Sequence, residues 1–368
     1  MFEQKNVFDI IIIGGGIIGL SIACELAERG KKVILFEKNK IGMEASWAAA
    51  GTLEPIWDAE DDGDDLLQMK IKSEKMWFGF AQKIQEETNI DVEYNSSGGI
   101  LVAMNSEEMN QLENTYKVAV RHGIESKILS KEEIISMESN ISTNVFGGIF
   151  LASECFVNPR KITQALSKYF EKMGGKIYEN NKVTSLLEDE NGTIVGVNIS
   201  DKKIFSKQTV NCAGPWSSEL IEIKVKPIKG YLVSFESKCI PKMKYAIIHR
   251  NSVRILKRKD GNLVAVGMME DSGFDLDLKE ETLRTMRENA ITIIPKLSDG
   301  QVIETYSGFR PKGEDRFPVI GKIKDGLYVA TGHYKDGILL APITAKIMYE
   351  SLNGNENTNV SPRRFLKK

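Results

Sequence analysis

Phe8–Ile13 (FDIIII) is a run of apolar, mostly β-branched residues in which only Asp9 is polar. Apolar character that is continuous rather than alternating marks a strand covered on both faces, so the run predicts a buried parallel strand. A glycine-rich turn, Gly14–Gly19, follows. From Ile17 to Arg29 apolar residues recur at helical spacing (Ile17, Leu20, Ile22, Ala23, Leu26, Ala27), and Gly30 supplies the stop. Lys32–Glu37 (KVILFE) returns to a strand pattern and completes a βαβ unit.

Further along, Leu66–Glu87 reads as a helix and Gly98–Met104 as a strand. Ser106–His122 and Ser130–Glu138 read as helices, the second opened by a Ser130/Glu133 capping box. Asn158 and Pro159 announce a helix over Arg160–Met173, closed by Gly174–Gly175. Strands are predicted at Lys176–Val183, Ile194–Ile199 and Gln208–Cys212. Between Val225 and Met269 short alternating segments dominate: Gly230–Phe235, Ala246–His249, Val253–Lys257 and Leu263–Val266. They predict an antiparallel sheet. A helix at Lys279–Ile294, a strand at Leu327–Ala330 and a helix at Ile338–Leu352 complete the pattern. The fold class is α/β: a Rossmann-like nucleotide-binding domain interleaved with an α+β substrate domain whose sheet is mostly antiparallel. The expected boundaries are 1–85, 147–222 and 305–368 for the first, and 86–146 and 223–304 for the second.

Composition narrows the function. The 368 residues carry a net charge of −2, so no global electrostatic footprint for nucleic acid or an anionic membrane exists. Local basic clusters occur at His249–Arg250, at Lys257–Arg258–Lys259 and in the tail Arg363–Lys368, which reads as solvated surface. The acidic run Asp58–Asp65 (DAEDDGDD) reads as a solvated loop. The four cysteines, at 24, 155, 212 and 239, show no CxxC spacing, and there are three histidines, so neither a metal site nor a disulfide framework is expected. The apolar run Val7–Ile13 is too short for a bilayer and Met1–Asn6 shows no cleavage pattern; cytoplasmic residence is the expectation.

The chemistry begins at Gly14–x–Gly16–x–x–Gly19, placed between a strand and a helix. Gly14 permits the tight turn, Gly16 lets the backbone approach a pyrophosphate, and Gly19 lets the helix pack close to the sheet. The helix start offers N–H donors to a diphosphate. Glu37 ends the second strand, where a carboxylate can take a ribose hydroxyl and disfavour a 2′-phosphate. The fingerprint fits FAD or NAD alike.

Four further segments, in order along the whole chain, resemble the D-amino-acid-oxidase superfamily, in its glycine oxidase and sarcosine oxidase branch. They are Ala45–Leu53 (ASWAAAGTL), Val210–Ser217 (VNCAGPWS), Ser307–Gly321 (SGFRPKGEDRFPVIG) and Thr331–Pro342 (TGHYKDGILLAP). The resemblance implies an FAD-dependent oxidative deamination of a small amino acid or amine, with hydride transfer to the flavin and oxygen as acceptor. By position, Gly14, Gly16, Ile17, Ile18 and Gly19 would hold the diphosphate, and Glu37 and Lys38 the ribose. Val183 would meet the adenine, and Gly214 would lie in the turn that approaches the flavin. Ala45, Ser46, Ala50, Gly51 and Thr52 would line the route to the ring. Gly332, His333, Tyr334, Lys335, Asp336, Gly337, Ile338 and Leu339 would wrap it. Arg310 would grip the substrate carboxylate, and no side-chain base is obligatory. His333 reads as a loop anchor in preference to a base or flavin link. No cysteine follows Cys239, so the FAD is expected to be non-covalent. Thiamine biosynthesis and a homotetramer are further implications of the resemblance.

Four positions depart from the glycine oxidase pattern: Thr52 for a methionine, Glu54 for a glycine, Arg254 for a tyrosine and Lys335 for an arginine. Glu54 and Arg254 either pair or meet a larger polar substrate, so an amine or N-substituted glycine other than plain glycine is expected. The alternatives are a flavin dehydrogenase passing electrons to a quinone, an NAD enzyme with the same fingerprint, and a non-catalytic or RNA-modifying member.

Overall fold

In the computed structural model, residues 8–366 are described, except 237, 239, 241 and 251 and the side chains at 60 and 61. Met1–Val7, Cys239 and the last two lysines of the basic tail lie outside the described residues. One eight-stranded sheet is built around the predicted first strand, Phe8–Ile13. That strand pairs in parallel with Val33–Phe36 on one side and Lys202–Asn211 on the other, and Lys176–Tyr178 and Leu327–Thr331 extend the parallel order outward. Both faces are covered, as the continuous apolar run requires. Ile10 and Ile12 pack beneath the helices Ile17–Glu28, Pro159–Lys172 and Ala341–Leu352, while Ile11 and Ile13 pack on Val183, Val197, Ile199 and Ile204. Burying each such isoleucine contributes about 1.5–3 kcal/mol.

The second sheet has eight strands in the order 302–312, 226–235, 263–270, 253–257, 246–249, 99–103, 147–151 and 126–130. Only Ala246–His249 against Gly99–Ala103 is parallel. One face packs on the helix Glu280–Ile293, through Met286, Ala290 and Ile293. The other packs on Ala50, Ile56, Trp57, Leu67 and Ile71. That second face meets the segment that follows the glycine turn, and it carries Arg310.

Local signals held where chemistry fixed them. Ser130 Oγ accepts from the Glu133 N–H (3.2 Å) and Glu133 returns a bond to the Ser130 N–H (2.9 Å), the predicted capping box. Asn158 caps the helix that Pro159 opens. Elsewhere the bounds moved. Lys176–Val183 is two strands, Lys176–Tyr178 and Val183–Glu188, and the last helix starts at Ala341, three residues after Ile338. No strand was expected over Val302–Lys312, and from residue 305 on the chain was assigned to the nucleotide-binding half, yet the segment pairs with Lys226–Phe235 in the antiparallel sheet. It is an edge strand, where a missing N–H is tolerated. Gly147–Leu151 pairs with Gly99–Ala103, so this strand belongs to the antiparallel sheet although it was expected in the nucleotide-binding half.

The helix Ala59–Thr88 starts seven residues before Leu66 and is kinked at Gly63, whose φ is +71. It takes in most of the acidic run. Asp58 and Asp62 are buried rather than solvated, since cations from other elements meet them. No helix among the described residues is long and apolar enough to cross a membrane.

Candidate active site

At the glycine turn, Gly14 has φ +104 and lies against the Cys212 carbonyl, and a Cβ on Gly19 would run into the Gly14 carbonyl. Both close approaches demand glycine. The helix Ile17–Glu28 begins at Gly16 with no side-chain cap and no acidic residue in its first turn. Ser46 Oγ accepts from the Ile17 N–H (3.0 Å); no protein acceptor among the described residues takes the N–H groups of Gly16 or Ile18. A helix start left in this state fits an anion. Glu37 accepts from the N–H groups of Gly15 (2.7 Å) and Asn39 (2.9 Å), one on each oxygen, and burial raises its pKa against those bonds. It lines a cleft of about 680 Å³, partly open to solvent, with Lys38, Ala45, Ser46, Val183, Gly214 and Trp216. The Lys38 ammonium stands 3.0 Å over the Trp216 ring and 3.2 Å from Glu44.

Residues 45–52 run from this cleft toward the second sheet and are clamped by two arginines. Arg258, 7% exposed, donates to the carbonyls of Ala50 and Val157. Arg160 lies 4.1 Å over the Trp47 ring and makes a two-pronged pair with Glu304, both bonds 2.9 Å. Gly308 carries no side chain because Ala48 fills the space a Cβ would need.

The loop 332–340 closes the site from the C-terminal side. Gly332 and Tyr334 adopt φ of +73 and +50, and the tyrosine is held there by a bond from its N–H to the Pro311 carbonyl (2.8 Å). The N–H groups of Gly337, Ile338 and Leu339 have no protein acceptor among the described residues. Ser73 Oγ and Trp77 Nε1 both donate to the Leu339 carbonyl, at 2.7 and 2.9 Å, which turns this stretch against the long helix. Below it lies a buried ion network. Lys70, 0% exposed, pairs with Asp62 (2.8 Å) and Asp336 (3.4 Å), Lys335 pairs with Asp58 (2.6 Å), and Arg316 with Asp62 (2.6 Å). Lys335, expected at the substrate, is therefore engaged by Asp58. Burial raises the Asp336 carboxyl, with Lys70 opposing.

His333 is buried, with Nε2 3.0 Å from Thr344 Oγ1. Burial pulls its pKa down from 6.5 to about 3, so it is a neutral anchor. Unfolded, it would take a proton below pH 6.5; folded, only below about 3. Its contribution to stability is complete above 6.5 and is lost as the pH falls toward 3. His333→Gln is expected to flatten the acid limb of stability by up to one proton, about 1.4 kcal/mol per pH unit, in urea unfolding across that window.

Arg310, in the strand Val302–Lys312, leans over Gly230, where any Cβ would strike its Nη1. Nη1 is sealed from solvent and has no hydrogen-bond partner among the described residues. Burial, with the Arg254 charge adding to it, pulls its pKa down to about 10, while Tyr334 opposes. No carboxylate of the described residues lies within ion-pair distance of it. Arg254 and Glu54 do pair, at 2.7 Å, and Thr52 stands in the short ladder opposite Phe156.

The structure thus gathers the predicted residues at two ends of one route, the glycine turn and the Arg310 face. The sequence reading missed Arg258, Lys70, Asp58 and Asp62. A signal existed for two of them. Arg258 continues the alternation Arg254–Leu256, and Lys70 falls on the helical stripe of Leu66, Leu67 and Trp77.

A family model described as FAD dependent oxidoreductase matches residues 9–351. The glycine oxidase of Pseudomonas aeruginosa is 26% identical over 355 residues, covering 94% of this chain and 95% of its own. The crystal structure of a glycine oxidase from Bacillus cereus has a TM-score of 0.90 at 29% identity, covering 96% of each chain. That of Geobacillus kaustophilus has a TM-score of 0.91 at 25% identity, covering 99% of this chain and 100% of its own.

Proposed function

We propose, from the premise that this chain belongs to the FAD-dependent oxidoreductase family, that it oxidises glycine, sarcosine or another N-substituted glycine at Cα. The observation that carries the reading is Arg310, a half-buried arginine whose Nη1 is sealed from solvent and which has no counter-charge among the described residues. Leaving a buried cation unpaired is costly, and a planar fork fits a carboxylate through two parallel N–H bonds. Relatives named as glycine oxidases support an amino acid as the bearer of that carboxylate.

When bound, FAD supplies a two-electron acceptor for a hydride. The unacceptored N–H groups of Gly16 and Ile18 and the cleft beside Glu37 fit its diphosphate and adenosine, with Gly14, Ile17, Gly19, Lys38, Val183 and Gly214 around them. Ala45, Ser46, Ala50, Gly51 and Thr52, with Gly332 to Leu339, would hold its ring. Gly337, Ile338 and Leu339 would offer N–H donors to negative charge there. Arg310 would fix the substrate by its carboxylate, and positioning would supply most of the rate. His333, neutral and bonded to Thr344, would not take the substrate proton. The substrate would enter as the neutral amine, and water would hydrolyse its imine to an oxo acid and ammonia or a primary amine.

The test is peroxide release in air. Purified yellow protein given glycine, sarcosine, proline, D-alanine and N-alkyl glycines is expected to form peroxide in step with amine consumed. Dye reduction without peroxide would point instead to a dehydrogenase. Colourless protein that refuses added FAD would reject both.

A further inference from the structure

We infer that Glu54 and Arg254 form a second recognition point in the substrate pocket, which selects an amino acid bearing a neutral oxygen function, a carboxamide or hydroxyl, on its nitrogen or side chain. The inference deepens the amino-acid oxidase reading and rests on it.

The two arginines share a face. Arg254, Val266, Leu232 and Tyr306 are directly paired residues of four successive strands, and Arg310 follows Tyr306 by four positions in its strand. Side chains repeat every second residue, so Arg254 and Arg310 stand on the same side of the sheet. Arg310 reaches over Gly230, one strand nearer Arg254, and the two charges feel each other.

Arg254 is fixed from two directions. Its Nε lies 2.7 Å from Glu54 Oε2 and its guanidinium 4.1 Å from the Trp57 ring centroid. Among the described residues no acceptor takes its Nη groups. Glu54 follows the pair Leu53–Cys155 in the short ladder, which sets Glu154 opposite it. Glu54 Oε1 and Glu154 Oε2 are both sealed from solvent and find no donor among the described residues. Burial first, and the Glu54 charge second, lift the Glu154 carboxyl well above the usual carboxylate range. The Arg254–Glu54 ion pair, at 2.7 Å, sets one positive charge against one negative.

A neutral group with free Nη donors reads an oxygen acceptor. A second carboxylate on the substrate would bring a surplus charge against Glu54, and an aliphatic substituent would leave the donors unanswered. Glycine carries nothing that reaches them. A neutral carbonyl or hydroxyl oxygen meets the donors without surplus charge.

The test compares kcat/KM for glycine, sarcosine, both enantiomers of serine, asparagine and aspartate, and the isosteric pair N-(carbamoylmethyl)glycine and N-(carboxymethyl)glycine. The best neutral-headed substrate is expected to exceed glycine and its own carboxylate counterpart by about tenfold or more. Arg254→Met should erase that advantage, mainly through KM, and Arg254→Lys should restore part of it. Glycine or a carboxylate counterpart equalling the neutral-headed substrate overturns the inference, and the wild-type ranking alone decides this. Rapid turnover of glycine and sarcosine with none of the neutral-headed amines removes this inference only. Failure of every amine to reduce the flavin removes the oxidase reading as well.

Discussion

Arg310→Met is expected to lower kcat/KM for a carboxylate-bearing amine by about 10³-fold while raising the unfolding temperature of the substrate-free protein. The activity loss follows from removing one partner of a buried, charge-assisted contact, about 4 kcal/mol at the transition state. The stability gain follows from the same burial. Nη1 is sealed, with no partner among the described residues, and desolvation already pulls the guanidinium down to about 10. A methionine of similar length removes that penalty. Arg310→Lys keeps a charge but loses the fork, so it should retain part of kcat and fail mainly in KM. Calorimetry and steady-state kinetics on the two variants check both halves. Equal losses of activity and stability would mean that Arg310 is structural.

The second large effect is expected at Lys70. Lys70→Met leaves Asp62 and Asp336 buried without their shared cation, at a cost of about 3–5 kcal/mol. Asp336 is part of the loop that shows its N–H groups at 337–339, so the variant should also lose FAD on gel filtration. The pH dependence has a definite sign. Burial raises the Asp336 carboxyl even with Lys70 opposing, and removing Lys70 raises it further. A raised carboxyl loses stability as pH rises through its folded pKa, so the defect should shrink as the pH is lowered. Asp58, Lys335 and Arg316 face the same network and remain in the variant. Lys70→Arg should recover most of the FAD content.

Much of this molecule is legible in the chain because local chemistry dictates it. The continuous apolar run Phe8–Ile13 suits a strand covered on both faces, the turn after it takes a backbone conformation and close approaches that exclude a side chain at Gly14 and Gly19, and Glu37 closes the second strand; each stands where expected. So does the capping box at Ser130, which needs only four residues to declare itself. What was not legible depends on partners distant in sequence. The acidic run at 58–65 resembles a solvated loop until Lys70, Arg316 and Lys335 are brought to Asp58 and Asp62. Arg258 sits in a basic triplet, and only the arrival of Ala50 and Val157 makes it a clamp. The strand that carries Arg310 is masked by Gly308 and Pro311, both tolerated because it lies at a sheet edge against Ala48. Glu54 and Arg254 were placed by resemblance as possible partners, and the 2.7 Å contact joins them.

The central claim is that Arg310 grips a carboxylate while the neighbouring Cα–H is oxidised. It is tested most directly by mixing the holoenzyme, without oxygen, with sarcosine and with its carboxylate-free counterpart dimethylamine. Rapid bleaching of the visible flavin absorbance by sarcosine, and a rate lower by about 10³-fold for dimethylamine, is the predicted result. Equal bleaching by the two would contradict it.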